Sequence, residues 1–378
     1  MDIKSSIMWE YIGQETEVLL EQLRSPQMDV FVRKNGGGLN GDGLIGSGPK
    51  PGGLQAVYFV AHGSSFNAAV CALGYFGKVA GIRSYAYTPG NFLTAGSPIV
   101  LEDPKSTLFV AISQTGTSSG VIKALEYTGK LGFQTLSITA AQGSPLDAKA
   151  DDTLYLFCGE ENSNAKTKGY SATLTLLLML ALSLGSMNGT LNEAQKQAGL
   201  DELTSMVGAI PEVAKKTFEF CKKVKIGETM SNLYVLGSGI NFGTAQEGQL
   251  KLMETMCMPT MFNDIGEFSH GMHRSIDEKS NVLLIKSLDG MGDKIEETYQ
   301  YLKGISSSVW MIDACGEACN NISEDINRLC LPLFADTQSV LLTTMAVQII
   351  SVFAPEYNGN NPNRDAHDDF TLVDGTRL

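Results

Sequence analysis

Val110-Ala111-Ile112-Ser113-Gln114-Thr115-Gly116-Thr117-Ser118-Ser119 is the stretch that decides how this chain is read. An apolar strand runs directly into a loop of hydroxyls, one amide and one glycine, and a helix is expected to begin near Ser118-Ser119-Gly120. A strand that stops at such a loop leaves the first N–H groups of the helix unpaired, with the positive end of the helix dipole pointing out of the sheet edge. That is an anion seat. Ser113, Thr115, Thr117 and Ser118 add side-chain donors, and Gly116 allows a positive φ or close backbone approach. The loop has no lysine, so it lacks the Gly-Lys-Ser/Thr ending of a nucleoside triphosphate loop. A small phosphate ester, such as a sugar phosphate, suits it better.

Outward from this loop, apolar β-rich runs alternate with helical segments, the pattern of a parallel α/β layer. Strands are expected at Ala56 to Ala61, Thr107 to Ser113, Thr135 to Thr139 and Thr153 to Phe157, and again at Asn232 to Gly237, Asn281 to Ser287, Ser308 to Asp313 and Arg328 to Phe334. The two halves begin alike. Val57-Tyr58-Phe59-Val60-Ala61-His62-Gly63-Ser64-Ser65-Phe66 aligns with Leu233-Tyr234-Val235-Leu236-Gly237-Ser238-Gly239-Ile240-Asn241-Phe242, each a strand ending in a small polar turn before a helix. This points to an internal duplication. The expected fold is therefore α/β, with two tandem doubly wound parallel-sheet domains. Leu191 to Lys225 has apolar residues at helical spacing and reads as a connecting helix, and Trp9 to Leu23 as an amphipathic outer arm. The expected divisions are an arm (1–34), a Gly-rich loop (35–53) without chemistry, a first domain (54–190), the connecting helix (191–228), a second domain (229–355) and a tail (356–378).

Composition narrows the function. At 378 residues and 43% hydrophobic, the chain can bury substantial cores. A net charge of −13, with no dense Lys or Arg cluster, argues against nucleic acid or anionic membrane as partners. Met1-Asp2-Ile3-Lys4-Ser5-Ser6 has no apolar signal core, so export is not expected. The longest apolar run, Thr173 to Leu184, is shorter than a bilayer needs and reads as a buried helix. Seven scattered cysteines fit buried thiols in a reducing cytoplasm. Cys315 and Cys319 have no matching pair that would complete a zinc site.

Three loops are expected at the carboxyl ends of first-half strands, where doubly wound sheets bind ligands: His62-Gly63-Ser64-Ser65, Ser113 to Ser118, and Asn162-Ser163-Asn164-Ala165-Lys166-Thr167-Lys168. Together they read as a phosphosugar pocket. The second half supplies acid/base groups. Thr244 to Glu254 should be helical, with Glu247, Lys251 and Glu254 on one face. Standing alone, those three would be a solvated ion-pair stripe. They are followed by a loop, Asn263-Asp264-Ile265-Gly266-Glu267-Phe268-Ser269-His270-Gly271-Met272-His273, holding two of the four histidines. A carboxylate and an imidazole are the groups that proton transfer at a sugar carbonyl needs. The Glu267-x-x-His270-x-x-His273 spacing also suits a metal, but Gly266 and Gly271 favour a loop over a ligand-bearing helix.

Ser-Gln-Thr-Gly-Thr-Ser, the Gly-Ser-Ser before it, Gln-Glu-Gly-Gln-Leu-Lys-Leu-Met-Glu and Gly-Glu-Phe-Ser-His-Gly together resemble the double sugar-isomerase-domain (SIS) family, whose domains are flavodoxin-like. The likeness is greatest to the isomerase half of glucosamine-6-phosphate synthase and to stand-alone fructosamine-6-phosphate deglycases, and it runs from Trp9 to the C-terminus. The resemblance implies a phosphate seat at Ser64, Ser65, Ser113, Gln114, Thr115 and Ser118; Gly63, Gly116, Asn164 and Ala165, in the same three loops, are expected to join them in binding the substrate. It implies Glu254 as catalytic glutamate, His270 as catalytic histidine and Glu247 as the earlier glutamate of the helix. It also implies a homodimer in which the histidine of one subunit serves the sugar site of the other, and neither metal nor organic cofactor.

Two departures stand out. This sequence shows no amino-terminal glutaminase segment with its nucleophilic cysteine, so glutamine-driven synthesis is not expected. In the tail Asn361-Pro362-Asn363-Arg364-Asp365-Ala366-His367, His367 stands near the place where the synthase lid has a lysine for carbonyl capture, and would serve as a lid residue or acid. The expected function is a cytoplasmic deglycase or isomerase moving a proton between C1 and C2 of a 6-phosphorylated fructosamine or amino sugar. The alternatives are a simple aldose–ketose isomerase, an amino-sugar-phosphate deaminase, or a phosphosugar-binding regulator without activity.

Overall fold

The computed structural model describes residues 5–36, 53–94, 97–286, 288, 290–316, 325–367, 369, 370 and 375. The Gly-rich loop expected at 35–53 lies almost wholly outside them, as does Cys319. The chain divides into two compact units, one of residues 17–160, 169–204 and 367–378, the other of residues 1–16, 161–168 and 205–366.

In chain order the elements are α1 (Ile7–Arg24), α2 (Gln27–Gly36), β1 (Ala56–Val60), α3 (Gly63–Tyr75), β2 (Arg83–Tyr87), α4 (Pro89–Thr94), β3 (Thr107–Ile112), α5 (Ser119–Lys130), β4 (Gln134–Thr139), β5 (Asp152–Tyr155), α6 (Lys168–Asn188) and α7 (Glu193–Val224). There follow β6 (Leu233–Gly237), α8 (Ile240–Met256), β7 (Thr260–Asp264), α9 (Ile265–Phe268), β8 (Val282–Lys286), α10 (Gly292–Lys303), β9 (Val309–Asp313), β10 (Arg328–Cys330) and α11 (Val340–Tyr357).

Both sheets are five-stranded and parallel, ordered β2-β1-β3-β4-β5 and β10-β9-β8-β6-β7. Read from its other edge, the second repeats the first: second strand, first, third, fourth, fifth. The order reverses between β1 and β3, and between β6 and β8. The central strands β1, β3, β6 and β9 are buried at every residue, because helices cover both faces of a parallel sheet. Two strands, β2 and β7, were not expected from the sequence; each is the outermost strand beside the first of its sheet. Both are largely half-buried, and the expected loop from Asn263 to His273 actually begins as the end of β7 and the single turn of α9. The expected strand Arg328 to Phe334 stops at Cys330, just short of Pro332, which has no N–H to give a ladder.

Tyr58, Phe92, Phe109, Ile122 and Leu125 centre the core of the first sheet, and Leu236, Leu284, Ile295, Tyr299 and Met311 that of the second. Helices α6 and α11 are long and apolar enough by composition to cross a membrane, α6 because it extends beyond the apolar run at 173–184. Their apolar windows are 89% and 94% buried inside the protein, which makes them core helices. In the second unit α8 packs on β6 and on α11. Gly248 permits this, since a Cβ there would lie 3.2 Å from Val347 and 3.3 Å from Val235. Cys71, Cys158 and Cys221 are buried reduced thiols and Cys257 is exposed, whereas Cys315 is disulfide-bonded, contrary to the reading of all seven as thiols.

A buried ion network joins α10 to the second sheet. Arg328 Nη1 donates to Asp313 Oδ2 (2.6 Å) and Glu296 Oε2 (2.8 Å), and Lys286 Nζ to Glu296 Oε2 (3.1 Å). Burial raises the Glu296 pKa, but the hydrogen bonds from Arg328, Gln300 and Lys286 outweigh it and bring the carboxyl down to about 2. A pKa lower in the folded than in the unfolded state gives stability that is present above the ordinary carboxyl range and is lost as pH falls through the folded value. Denaturant midpoints are therefore expected to fall between pH 4.5 and about 2. A Glu296→Gln variant should show a shallower fall; an equal slope would contradict the assignment.

Candidate functional site

In the first unit, β1 and β3 are neighbours, with Val60 opposite Ala111, and they end side by side where the strand order reverses. Such a crevice is where doubly wound sheets take ligands. Two helices start there. The α3 N-cap, His62, and the α5 N-cap, Ser118, make no side-chain capping bond, so the first N–H groups of both helices keep their donors for a ligand. Ser64 and Ser65 lie in the first turn of α3. The hydroxyls of Ser64, Ser65, Ser113 and Ser118 have no hydrogen-bond partner among the described residues.

The loop between β3 and α5 is held from behind. Ser113 N–H donates to Ile138 O (3.0 Å), Ala140 N–H to Gln114 O (2.9 Å) and Leu146 N–H to Gly116 O (3.1 Å). Gly116 has φ +65, and a Cβ there would collide with the Ser144 hydroxyl, so this position admits only glycine. Thr115 and Thr117 share a hydroxyl hydrogen bond of 2.9 Å, and Gln114 Nε2 lies 3.5 Å from Cys158 Sγ. The backbone of the loop is thus fixed while its serine hydroxyls remain uncommitted. Such a concavity of N–H and O–H donors suits a phosphate.

In the second unit, α8 carries the acid/base candidates. Glu247 and Lys251 are 0% and 1% exposed, so they are not part of a solvated stripe. Lys251 Nζ lies 2.6 Å from Glu254 Oε2 and 3.6 Å from Glu247 Oε1. Burial depresses the Lys251 pKa, yet the carboxylates of Glu254 and Glu247, with a smaller contribution from Glu161, overcome it and hold it above the ordinary lysine value. Lys251 is therefore a fixed cation. It grips one oxygen of Glu254, whose side chain is 32% exposed and whose Oε1 has no partner among the described residues. A carboxylate oriented on one oxygen and open on the other can accept and return a proton.

The loop 161–168 belongs to the same unit. The buried Glu161 carboxylate accepts from Thr167 N–H (2.9 Å), Thr167 Oγ1 (3.1 Å) and Lys168 N–H (3.1 Å), capping the start of α6. Lys166 Nζ closes the loop on the carbonyls of Glu161 and Ser163. Ala165 is buried, and Asn164 is exposed with its Nδ2 donating to Arg364 O (3.3 Å). His270 is exposed, follows the α9 turn through its N–H to Glu267 O (2.9 Å), and its ring has no partner among the described residues. The structure does not pair it with Glu254. His367, at φ 66 in the left-handed region, falls in the unit of the first sheet.

Glu161 was not singled out from the sequence, Arg364 stood there only as one residue of the tail stretch, and Lys251 only as a member of a charged stripe. The available signal for Lys251 was its place between Leu250 and Leu252 in an otherwise apolar helix stretch.

A twice-written doubly wound sheet, with a candidate phosphate seat at the first switch point and an oriented carboxylate on the first helix of the second half, defines an α/β protein of the doubly wound class. Comparison with known proteins narrows the class: residues 55–183 match the model of the SIS domain. It is 28% identical over 306 residues to glutamine–fructose-6-phosphate aminotransferase [isomerizing] of Clostridium tetani, covering 79% of this chain and 48% of that one. The chain thus spans about half the length of the curated relatives it matches. Its fold is similar to the C-terminal domain of glucosamine-fructose-6-phosphate aminotransferase from Francisella tularensis (TM-score 0.83, 19% identity, 96% of this chain and 99% of that one). It is also similar to glucosamine-6-phosphate deaminase from Thermotoga maritima (TM-score 0.73, 21% identity, 96% and 98%).

Proposed function

We propose that the protein is a cytoplasmic phosphosugar enzyme of the deglycase or isomerase type, acting on a 6-phosphorylated fructosamine or amino sugar. The observation that carries the reading is the seat: four serine hydroxyls without hydrogen-bond partners among the described residues, beside two helix N-termini whose N-cap side chains make no capping bond. In this reading Ser64, Ser65, Ser113, Thr115 and Ser118 hold the phosphate, and Asn164 and the Ala165 backbone contact the sugar. Glu254 takes the proton from C1 of the open-chain ketosamine and returns it to C2. The product of that transfer is a Schiff base of the aldose, and its hydrolysis gives an amine and glucose 6-phosphate. On a plain ketose phosphate the same transfer gives the aldose. His270 assists ring opening or protonates the carbonyl oxygen. Its exposed ring, without a partner among the described residues, is consistent with service to a second copy in a homodimer.

Replacing Ser113 and Ser118 together with alanine removes two donors to a charged acceptor, each worth on the order of 1.5–3 kcal/mol. Calorimetric affinity for fructose 6-phosphate is expected to fall roughly 10²-fold or more, with circular dichroism unchanged. Unaltered affinity in the double variant would refute the seat.

A further inference from the structure

The segment after α11 returns to the helix that carries Glu254, and one side chain makes the join. Arg364 Nη2 donates to the carbonyl of Met256, the last residue of α8 (2.9 Å), and its Nε lies 3.2 Å from Cys257 Sγ. Its Nη1 donates to Asn360 Oδ1 (3.2 Å), and its own carbonyl accepts from Asn164 Nδ2 (3.3 Å). Cys257, where the helix stops, is in the left-handed region at φ 52 and donates its N–H to Met253 O. A helix ends in carbonyls without intrahelical partners and in the negative end of its dipole. The last turn of α8 contains no basic residue of its own, so the complementary cation comes from the tail. Glu254 lies within this turn, two residues before the carbonyl that Arg364 holds.

We infer that Arg364 is a positioning residue for the proton transfer. It fixes the last turn of α8, and with it the Glu254 carboxylate, and it ties that turn to segment 360–364 and to Asn164. It does not touch the reacting atoms, and the inference rests on the role proposed above for Glu254. The planar guanidinium reaches three partners at once, which an ammonium on a flexible stem cannot reproduce. Arg364→Lys therefore retains the charge and one bond, while Arg364→Ala loses all of them.

The test compares both variants with the unmodified chain in three measurements: calorimetric binding of fructose 6-phosphate, deuterium uptake by that sugar from solvent, and amide hydrogen exchange at residues 253–257. In Arg364→Ala, affinity should stay within about twofold while deuterium uptake falls about tenfold, because a misplaced base costs rate more than binding. Amide exchange over 253–257 should quicken at least about tenfold, and Arg364→Lys should recover part of both losses. Wild-type uptake in Arg364→Ala would overturn the positioning role, and unchanged amide exchange would overturn the latch. A parallel loss of affinity, uptake and global unfolding midpoint, without recovery by lysine, would make the residue merely structural. If the unmodified chain itself takes up no deuterium, the reading of Glu254 is what has failed, and the exchange measurement still decides whether Arg364 holds α8.

Discussion

Glu254→Gln is expected to abolish most turnover while leaving the sugar phosphate bound. Glutamine keeps the size of the side chain and can still accept from Lys251 Nζ, which lies 2.6 Å from Oε2 in the native protein. It cannot take a proton. The loss should be roughly 10²–10⁴-fold in rate, the usual worth of a placed acid or base, and calorimetric affinity should hold because the serine seat is untouched. Chelator treatment and metal add-back should leave the loss as it is. A Glu254→Gln protein with near-normal turnover, or activity that tracks added divalent metal, would remove the role given to this helix.

Lys251→Met is expected to destabilise the second unit strongly. Lys251 is 1% exposed and Glu247 0%, so removal of the ammonium takes a cation 3.6 Å away from a buried carboxylate. Breaking a buried pair from one side costs about 3–5 kcal/mol, much of it the desolvation of the stranded partner. The double variant Glu247→Gln with Lys251→Met should recover part of that loss, because the buried Glu247 charge is then removed together with the ammonium beside it. Urea unfolding of the two proteins measures the difference. A double variant as unstable as the sum of its parts would show that the charges do not act on each other.

The course of the fold was legible wherever burial is complete. Val57 to Val60, Leu108 to Ile112, Leu233 to Leu236 and Val309 to Ile312 are continuous apolar runs because helices cover both faces of the sheet, and the matching turns after the first and sixth strands exposed the duplication. Edge positions were not legible. Arg83-Ser84-Tyr85-Ala86-Tyr87 and Thr260-Met261-Phe262-Asn263-Asp264 face solvent in part, so their polar and aromatic mixture does not stand out from the loops beside them.

The candidate seat was readable for a local reason. A hydroxyl-rich loop between strand and helix carries its chemistry within six residues, Ser113 to Ser118. The environment of Glu254 was not, because a Glu–Lys–Glu face has the same spacing whether it meets water or the packed helices of a core. Only the approach of α8 to β6 and α11, made possible at Gly248, turns that stripe into a buried ammonium holding two carboxylates. Arg364 acts on the end of the eighth helix from 108 residues away, so no local pattern announces it; Glu161 acts only six and seven residues on, at the start of the sixth helix, but within a loop whose polar residues give no sign of which carboxylate is buried.

The account is tested most directly by incubating the unmodified protein in deuterated water with fructose 6-phosphate, glucosamine 6-phosphate and a fructosamine 6-phosphate. Label position would be followed by NMR, and free amine by a coupled assay. The expected result is deuterium at C1 or C2 of at least one sugar, with release of amine and glucose 6-phosphate from the fructosamine. Sugar phosphates that bind by calorimetry yet acquire no deuterium and release no amine would contradict it, and would leave the chain a phosphosugar-binding protein without proton-transfer chemistry.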